Sequence, residues 1–317
     1  MIAVAVGNLT AYGILHMRGV GGLAGWQWLF IIEGLYTIMM GIALLLLFPR
    51  DPTHPVSFSG IRYFNHRESA ILAARVLRDD PSKIKKRQRI TGAEFRSALG
   101  NWRAWPHLML TLVAIAPAST INTYSPTVVG SFGYGRLRSN ALVSVGSWIQ
   151  VVLNAVWGIT ADKTKNRGLV TLAGLLLWWG FSMGNMILAY STNYHAKYAL
   201  LTMALATENI WHPINGSWLA LNCRSPGERS VTMAMFIMAA NMAGIIGAQL
   251  FQASDKPHYR KGWEAIFSLI SVGVACCVVA NVQYRLLNRR APARVVESDQ
   301  EDAATAAHAK EQLRYQL

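Results

Sequence analysis

Glu208 is the one charged side chain between Tyr198 and Cys223. An isolated carboxyl in so apolar a run suits either of two tasks, carrying a proton or holding a hydrogen bond between helices. His212 and Asn215 follow it by four and seven residues, which on a helix puts all three on one face, able to line a cavity together. Counted from Tyr198 at ~1.5 Å per residue, Glu208 lies ~15 Å along its element, the mid-depth of a ~30 Å hydrocarbon layer. An ionised carboxylate there costs roughly 2.5 to 3.5 kcal/mol on insertion scales, so the group is expected to be protonated or paired and to face the protein interior. Pro213 breaks the backbone ladder beside it, and interrupted membrane helices are common where polar ligands are held.

Other polar residues stand in similar runs. Asn122 and Tyr124 lie near Pro117 and Pro126, Gln150 and Asn154 are four residues apart, and Asn241 stands in a further apolar stretch. Each can hydrogen-bond a bound carboxylate or amide, and each can equally join two helices at ~1 kcal/mol per contact. Between residues 105 and 287 no fixed cation occurs at mid-depth, so an anionic ligand would be neutralised from elsewhere or by protonated His212. Cys223, Cys276 and Cys277 show no metal-ligand or redox spacing and read as packing residues. The chain carries no HExxH and no GxxxxGK[ST] loop, and neither an enzyme nor a metal or other cofactor is expected.

The elements that place these residues follow from charge. Only 15% of the 317 residues are Asp, Glu, Lys or Arg, against roughly 25% in soluble domains. Residues 104–135, 141–161, 168–191, 230–254 and 265–284 contain none. Runs of ~20 uncharged residues cross a bilayer as helices, and the expectation is an all-α, polytopic transmembrane bundle of eight spans. These are Ile2–Met17, a second from Trp26 to Phe48, then Trp105–Val128, Ala141–Ala161, Leu169–Ala189, Tyr198–Leu221, Val231–Gln252 and Trp263–Tyr284. The first lacks the basic leader and cleavage site of a signal peptide and is read as a span. Arg50 to Pro52 should stop the second. Small residues at fourfold spacing, Ala240, Gly244 and Ala248 and also Gly180 and Gly184, would allow close helix contact.

The formal charge of +14 would raise nucleic-acid binding in a soluble protein. Here the positives lie between spans. Residues 50–104 hold 12 Lys or Arg, including the run Lys83 to Arg89, and read as a solvated loop with a short amphipathic helix at Arg67–Arg78. Summed on alternate sides, Lys and Arg number 23 against 7, which places the linker and C-terminus in the cytoplasm. The tail, 288–317, has no apolar period and is expected to be disordered.

Gly158-Ile159-Thr160-Ala161-Asp162-Lys163-Thr164-Lys165-Asn166-Arg167 resembles the short loop motif of the major facilitator superfamily. It is accompanied by Gly25 to Gly34 leading into Phe48 to Pro52, by Ser125-Pro126-Thr127 with Phe132-Gly133-Tyr134, and by Asn241 to Gly247 followed by Asp255 to Tyr259 and Gly262. Together these are similar to the fungal anion:cation symporter branch, the allantoate, nicotinate and other vitamin or carboxylate permeases. Ser225-Pro226-Gly227-Glu228-Arg229 departs from the Gly-Thr-Lys-Arg-like turn of that branch.

The resemblance matches helices five to twelve of a twelve-helix fold. It implies that residues 1–49 are the last two helices of the N-terminal half, 50–104 the cytoplasmic interdomain linker and 105–287 the six-helix C-terminal half. It further implies a monomeric permease of the plasma membrane that takes up a small organic anion with a proton by alternating access, its partners being that anion, the proton and the lipid bilayer, with no nucleic acid. Glu208 would carry the coupling proton, and Asn122, Tyr124, Gln150, Asn154, His212, Asn215 and Asn241 would face substrate. Gly158, Asp162, Lys163 and Arg167 would form a cytoplasmic gate, with Asp162 bonding toward the start of a neighbour, the eleventh helix, near Ser230. The alternative is a truncated protein that transports nothing, because half of the binding surface would be missing.

Overall fold

The computed structural model describes residues 2–49, 55–79, 90–223, 225–256 and 258–314. The expected stop at Arg50 to Pro52 and the basic run Lys83 to Arg89 lie outside the described residues. The chain is helical, in the order α1 (Ile2–Leu15), α2 (Gly25–Leu47), α3 (His66–Asp79), α4 (Gly92–Gly100), α5 (Trp105–Gly130), α6 (Arg136–Thr164), α7 (Arg167–Ile187), α8 (Tyr194–Thr207), α9 (His212–Leu221), α10 (Pro226–Gly247) and α11 (Arg260–Arg314). Among the described residues six helices are long and apolar enough to cross a membrane, namely α2, α5, α6, α7, α10 and the Arg260–Arg289 part of α11.

The remaining two expected spans take other forms. α1 has 14 residues, short of the ~20 that cross a hydrocarbon core upright. It gives way to a turn in which Gly19, Gly21 and Gly22 all have positive φ, backbone that favours glycine. The rod expected over Tyr198–Leu221 is divided into α8 and α9 at Glu208 to Trp211. Two other expectations also meet the structure. The amphipathic segment is the helix α3, and in place of a disordered tail α11 continues to Arg314. Absence of an apolar period argues against packing, whereas the Ala, Glu, Gln and Lys of the tail are strong helix formers.

The surface is apolar where a soluble protein would be polar. Ile245 is 72% exposed, Phe30 70% and Leu45 66%, large residues for which lipid is the compatible solvent. Inside, α5 packs against α6, α8, α10 and α11, burying Leu110, Ile121, Trp178, Trp211, Ile266 and Ile270. Burial of apolar surface drives little between helices in lipid, so close packing and hydrogen bonds carry the association. The crossing of α5 and α10 is tightest at Gly247, where an added Cβ would stand 2.5 Å from the Ala116 carbonyl oxygen. Thr120 Oγ1 donates to Gly247 O at 2.7 Å across the same crossing. The contact stripe therefore runs through Ala243 and Gly247, both buried, rather than through Gly244 and Ala248. A Cβ on Gly244 would meet only Ser119 Oγ at 3.9 Å, and one on Gly180 would meet nothing within 4 Å.

The departing turn at Ser225 to Arg229 is a docking point. Ser97 Oγ and Asn101 Nδ2, from α4 and its end, donate to the Glu228 carboxylate at 3.2 and 2.9 Å. Ser225 caps α10 by accepting Glu228 N–H at 3.1 Å and donates to Glu94 Oε1 at 3.2 Å. Thr91 and Glu94 cap each other at the start of α4. The Thr91 backbone N–H and hydroxyl hold the Glu94 carboxyl below the usual carboxylate range. A carboxyl so depressed in the folded state stabilises it above the unfolded-state value, and that contribution is lost as pH falls through the lowered one. Amide hydrogen exchange in α4 is expected to quicken as pH is lowered through that acid window, relative to intrinsic rates, and Glu94→Gln is expected to remove the dependence.

Candidate functional site

The interruption between α8 and α9 is built from local chemistry. Pro213 has no N–H to continue the ladder. Glu208 ends α8 with its N–H on Ala204 O at 3.0 Å. Its own carbonyl, which a continuous helix would pair with His212 N–H, instead accepts the Trp211 indole N–H at 2.7 Å. The helix resumes with Asn215 N–H on Trp211 O at 2.9 Å. α7 accommodates the break because Gly174 faces it, and a Cβ there would lie 3.3 Å from Ile210 Cγ1 and from Trp211 Cβ.

At this break the Glu208 side chain is 1% exposed. Its Oε1 accepts hydrogen bonds from Asn122 Nδ2 of α5, and from Gln150 Nε2 of α6 and Asn209 Nδ2 at 3.5 Å each. The two principal donors are themselves oriented by backbone. Asn122 Nδ2 also bonds Ala118 O at 3.1 Å, and Gln150 Nε2 bonds Leu205 O at 3.0 Å. Oε2 is buried without a partner, and no ion pair reaches the carboxyl among the described residues. The group is thus a carboxyl held by neutral amides, with one oxygen free for a proton or a ligand. Asn122 is exposed on α5 while bonding inward, so it stands between the buried carboxyl and the surface of the bundle.

The other candidates divide. Asn154 is half-buried and bonds Gln150 O at 2.9 Å, one turn below the cluster. Tyr124 joins an aromatic group, its ring 5.7 Å from Phe251. Asn241 is exposed on α10, and its side chain makes no hydrogen bond among the described residues. The expected single face of Glu208, His212 and Asn215 is not formed, because the break rotates α9 relative to α8. His212 stacks on Phe236 with centroids 4.8 Å apart, its Nδ1 buried and unpartnered. Asn215 belongs to a second buried cluster, its Oδ1 accepting from His107 Nδ1 at 2.6 Å and its Nδ2 donating to Thr111 Oγ1 at 3.3 Å.

His107 escaped the sequence reading. It is fully buried on α5, edge-on to Trp218 at 4.6 Å, with Nε2 unpartnered. The available signal was the pair His107 and Thr111, polar residues four apart at the start of an uncharged run.

The gate residues are placed otherwise than expected. Asp162 is exposed and lies 3.5 Å from Arg167, across its own turn, and does not reach Ser230, whose hydroxyl donates to Pro226 O at 3.0 Å. The start of α10 is capped by Ser225 and already carries an acid, Glu228, in its first turn, a like charge that disfavours a second carboxylate there. Gly158 is half-buried on α6, and Lys163 is exposed in its last turn.

A family model described as Major Facilitator Superfamily matches residues 1–248. Among curated relatives, the chain is 30% identical over 291 residues to "Uncharacterized transporter YIL166C" of Saccharomyces cerevisiae, covering 90% of this chain and 53% of that protein. It is 25% identical to "Uncharacterized transporter C1039.04" of Schizosaccharomyces pombe, covering 81% and 49%. To "MFS transporter prlL" of Fungal sp. it is 27% identical, covering 91% and 57%. The chain spans about half the length of these relatives.

Proposed function

From the premise that the chain belongs to the Major Facilitator Superfamily, we propose that it forms part of a secondary transporter that moves a small organic anion with a proton by alternating access, in the manner of the fungal anion:cation symporters. The observation that carries this reading is the Glu208 carboxyl, buried among amides of α5 and α6 with one oxygen unpartnered. A carboxylate so placed in hydrocarbon carries a penalty of several kcal/mol that a proton removes. Neutral when occluded and ionised when opened to water, it couples its own proton to the cycle. Coupling also serves the anion, which otherwise loses ~2.3 kcal/mol per charge per 100 mV against the membrane potential.

An anion-attracting mouth supports the same reading. A cavity of about 820 Å³ lies between the α1–α2 turn and the junction of α5 and α6, with Arg18, Tyr134, Ser139 and Asn140 on its walls. Arg18 supplies a cation that the interior of the α5 to α11 bundle does not. On the charge count this end faces outward, and the linker, the 163–167 turn and the C-terminus face the cytoplasm of a plasma-membrane monomer. Residues 1–49, the linker 50–104 and the bundle 105–287 would then be the end of one half, its connection and the second half.

The test is accumulation of labelled carboxylates, drawn from vitamins and nitrogen compounds, by cells expressing the protein in acid medium. At least one is expected to accumulate with an inward proton gradient and to stop accumulating when a protonophore collapses it. Equal accumulation in both conditions contradicts proton coupling.

A further inference from the structure

A second cavity, of about 410 Å³, opens at the end of the bundle that carries most of the positive charge. It shares no residue with the Glu208 cluster. Three cations from three elements line it: Lys165 in the turn after α6, Arg167 at the first residue of α7, and Arg285 on α11. No carboxylate is among the lining residues. Among the described residues Asp162 is the one acid paired with any of the three, at 3.5 Å from Arg167 and 78% exposed, a contact that water and salt screen. Among the described residues Lys165 and Arg285 make no ion pair.

The backbone is shaped to gather these charges. Lys165 ends α6 in the left-handed conformation, with φ of 53° and its N–H on Ala161 O at 3.1 Å, a common way for a helix to terminate. It turns the chain so that Asn166 Oδ1 accepts Leu169 N–H at 3.2 Å and α7 begins at the cavity wall, adding the positive end of a helix dipole. The floor is close-packed, since a Cβ on Gly168 would stand 2.3 Å from Asn281 Oδ1 and 2.9 Å from Trp218 Cη2. Asn281 Nδ2 is committed to Gly168 O and Cys277 O at 3.1 and 2.9 Å, so recognition falls to the cations. Tyr284, on the wall, keeps a buried hydroxyl without a partner.

We propose that this cavity is a phosphate-binding site that takes a phosphate group, either on an anionic lipid headgroup or as the free ion. Three converging cations overcompensate a single carboxylate and match a multiply charged anion, and guanidinium groups bind phosphate oxygens in a two-pronged fork. The site lies at the level where lipid headgroups meet the helix ends, which makes a lipid phosphate and a dissolved one the two sources.

The test uses the purified protein in phosphatidylcholine nanodiscs doped with phosphatidylinositol 4-phosphate, with retained lipid read by native mass spectrometry. The double variant K165Q/R285Q, both positions exposed, is expected to retain roughly tenfold less phosphoinositide, whereas K256Q/K261Q at the opposite end retains as much as wild type. Inorganic phosphate distinguishes the sources. If it raises the melting temperature of wild type but not of K165Q/R285Q and displaces the lipid, the site serves the free ion; if the lipid alone binds, it serves the headgroup. Should the double variant not fold, K165Q and R285Q singly are each expected to lose part of the retention. Undiminished phosphoinositide in the variants, or no preference over phosphatidylcholine together with no effect of phosphate, overturns the proposal.

Discussion

Glu208→Gln is expected to abolish gradient-driven accumulation, by roughly hundredfold or more, while leaving exchange of substrate across the membrane in place. Glutamine has the shape of the carboxylic acid, and its oxygen can still accept from Asn122 and Gln150 as Oε1 does. What it cannot do is take up and release a proton. Loss of accumulation with retained exchange therefore isolates the proton from the packing. If Glu208 serves only to tie α8 to α5 and α6, the glutamine variant accumulates substrate as well as wild type does, and the coupling reading fails. Glu208→Ala removes both functions and so separates nothing, which is why the isosteric change is the informative one.

The second large effect is expected from Gly247→Ala. The added methyl would meet the Ala116 carbonyl oxygen at 2.5 Å and Ser119 Cβ at 3.1 Å. The first of these is backbone and cannot rotate away, so α10 must move off α5. Overpacking of this kind costs about 1 to 3 kcal/mol, and the Thr120 bond to Gly247 O stretches with it. Thermal unfolding in detergent should show a clearly lower midpoint for Gly247→Ala, with Gly244→Ala near wild type because its Cβ would find only Ser119 Oγ, at 3.9 Å. Indistinguishable midpoints for the two would mean that the crossing is not close at Gly247.

The membrane-crossing rods were legible because lipid imposes a rule that composition obeys directly, an uncharged run of sufficient length. The discontinuity at α8 and α9 was half legible. Pro213 announced a missing N–H, but that the helix would stop five residues earlier, at Glu208, depends on the Trp211 indole reaching the Glu208 carbonyl. Glu208 itself stood out, since one charge in an apolar stretch is conspicuous. Its partners were each visible as polar residues, yet their convergence was not, because Asn122, Gln150 and Glu208 come from three helices whose rotation about their axes no local spacing fixes. The same ignorance of rotation grouped His212 and Asn215 with Glu208 when the break sends them to Phe236 and His107. Asp162 was assigned a distant partner from the resemblance, whereas Ser225 and Glu228 of this chain occupy the helix start it would have used.

On the proposed reading, the polar face of α5 beside Glu208 borders a water-filled pathway, whereas the apolar faces of the same bundle border lipid. Thr123 is exposed next to Asn122, and Ile245 is 72% exposed on α10. With Cys223, Cys276 and Cys277 replaced, a nitroxide attached at each position in the protein reconstituted in liposomes can be tested for collision with a water-soluble nickel chelate and with lipid-soluble oxygen. The label at position 123 is expected to meet the nickel chelate and the label at 245 to meet oxygen. A label at 123 that collides with oxygen and excludes the chelate would contradict that reading.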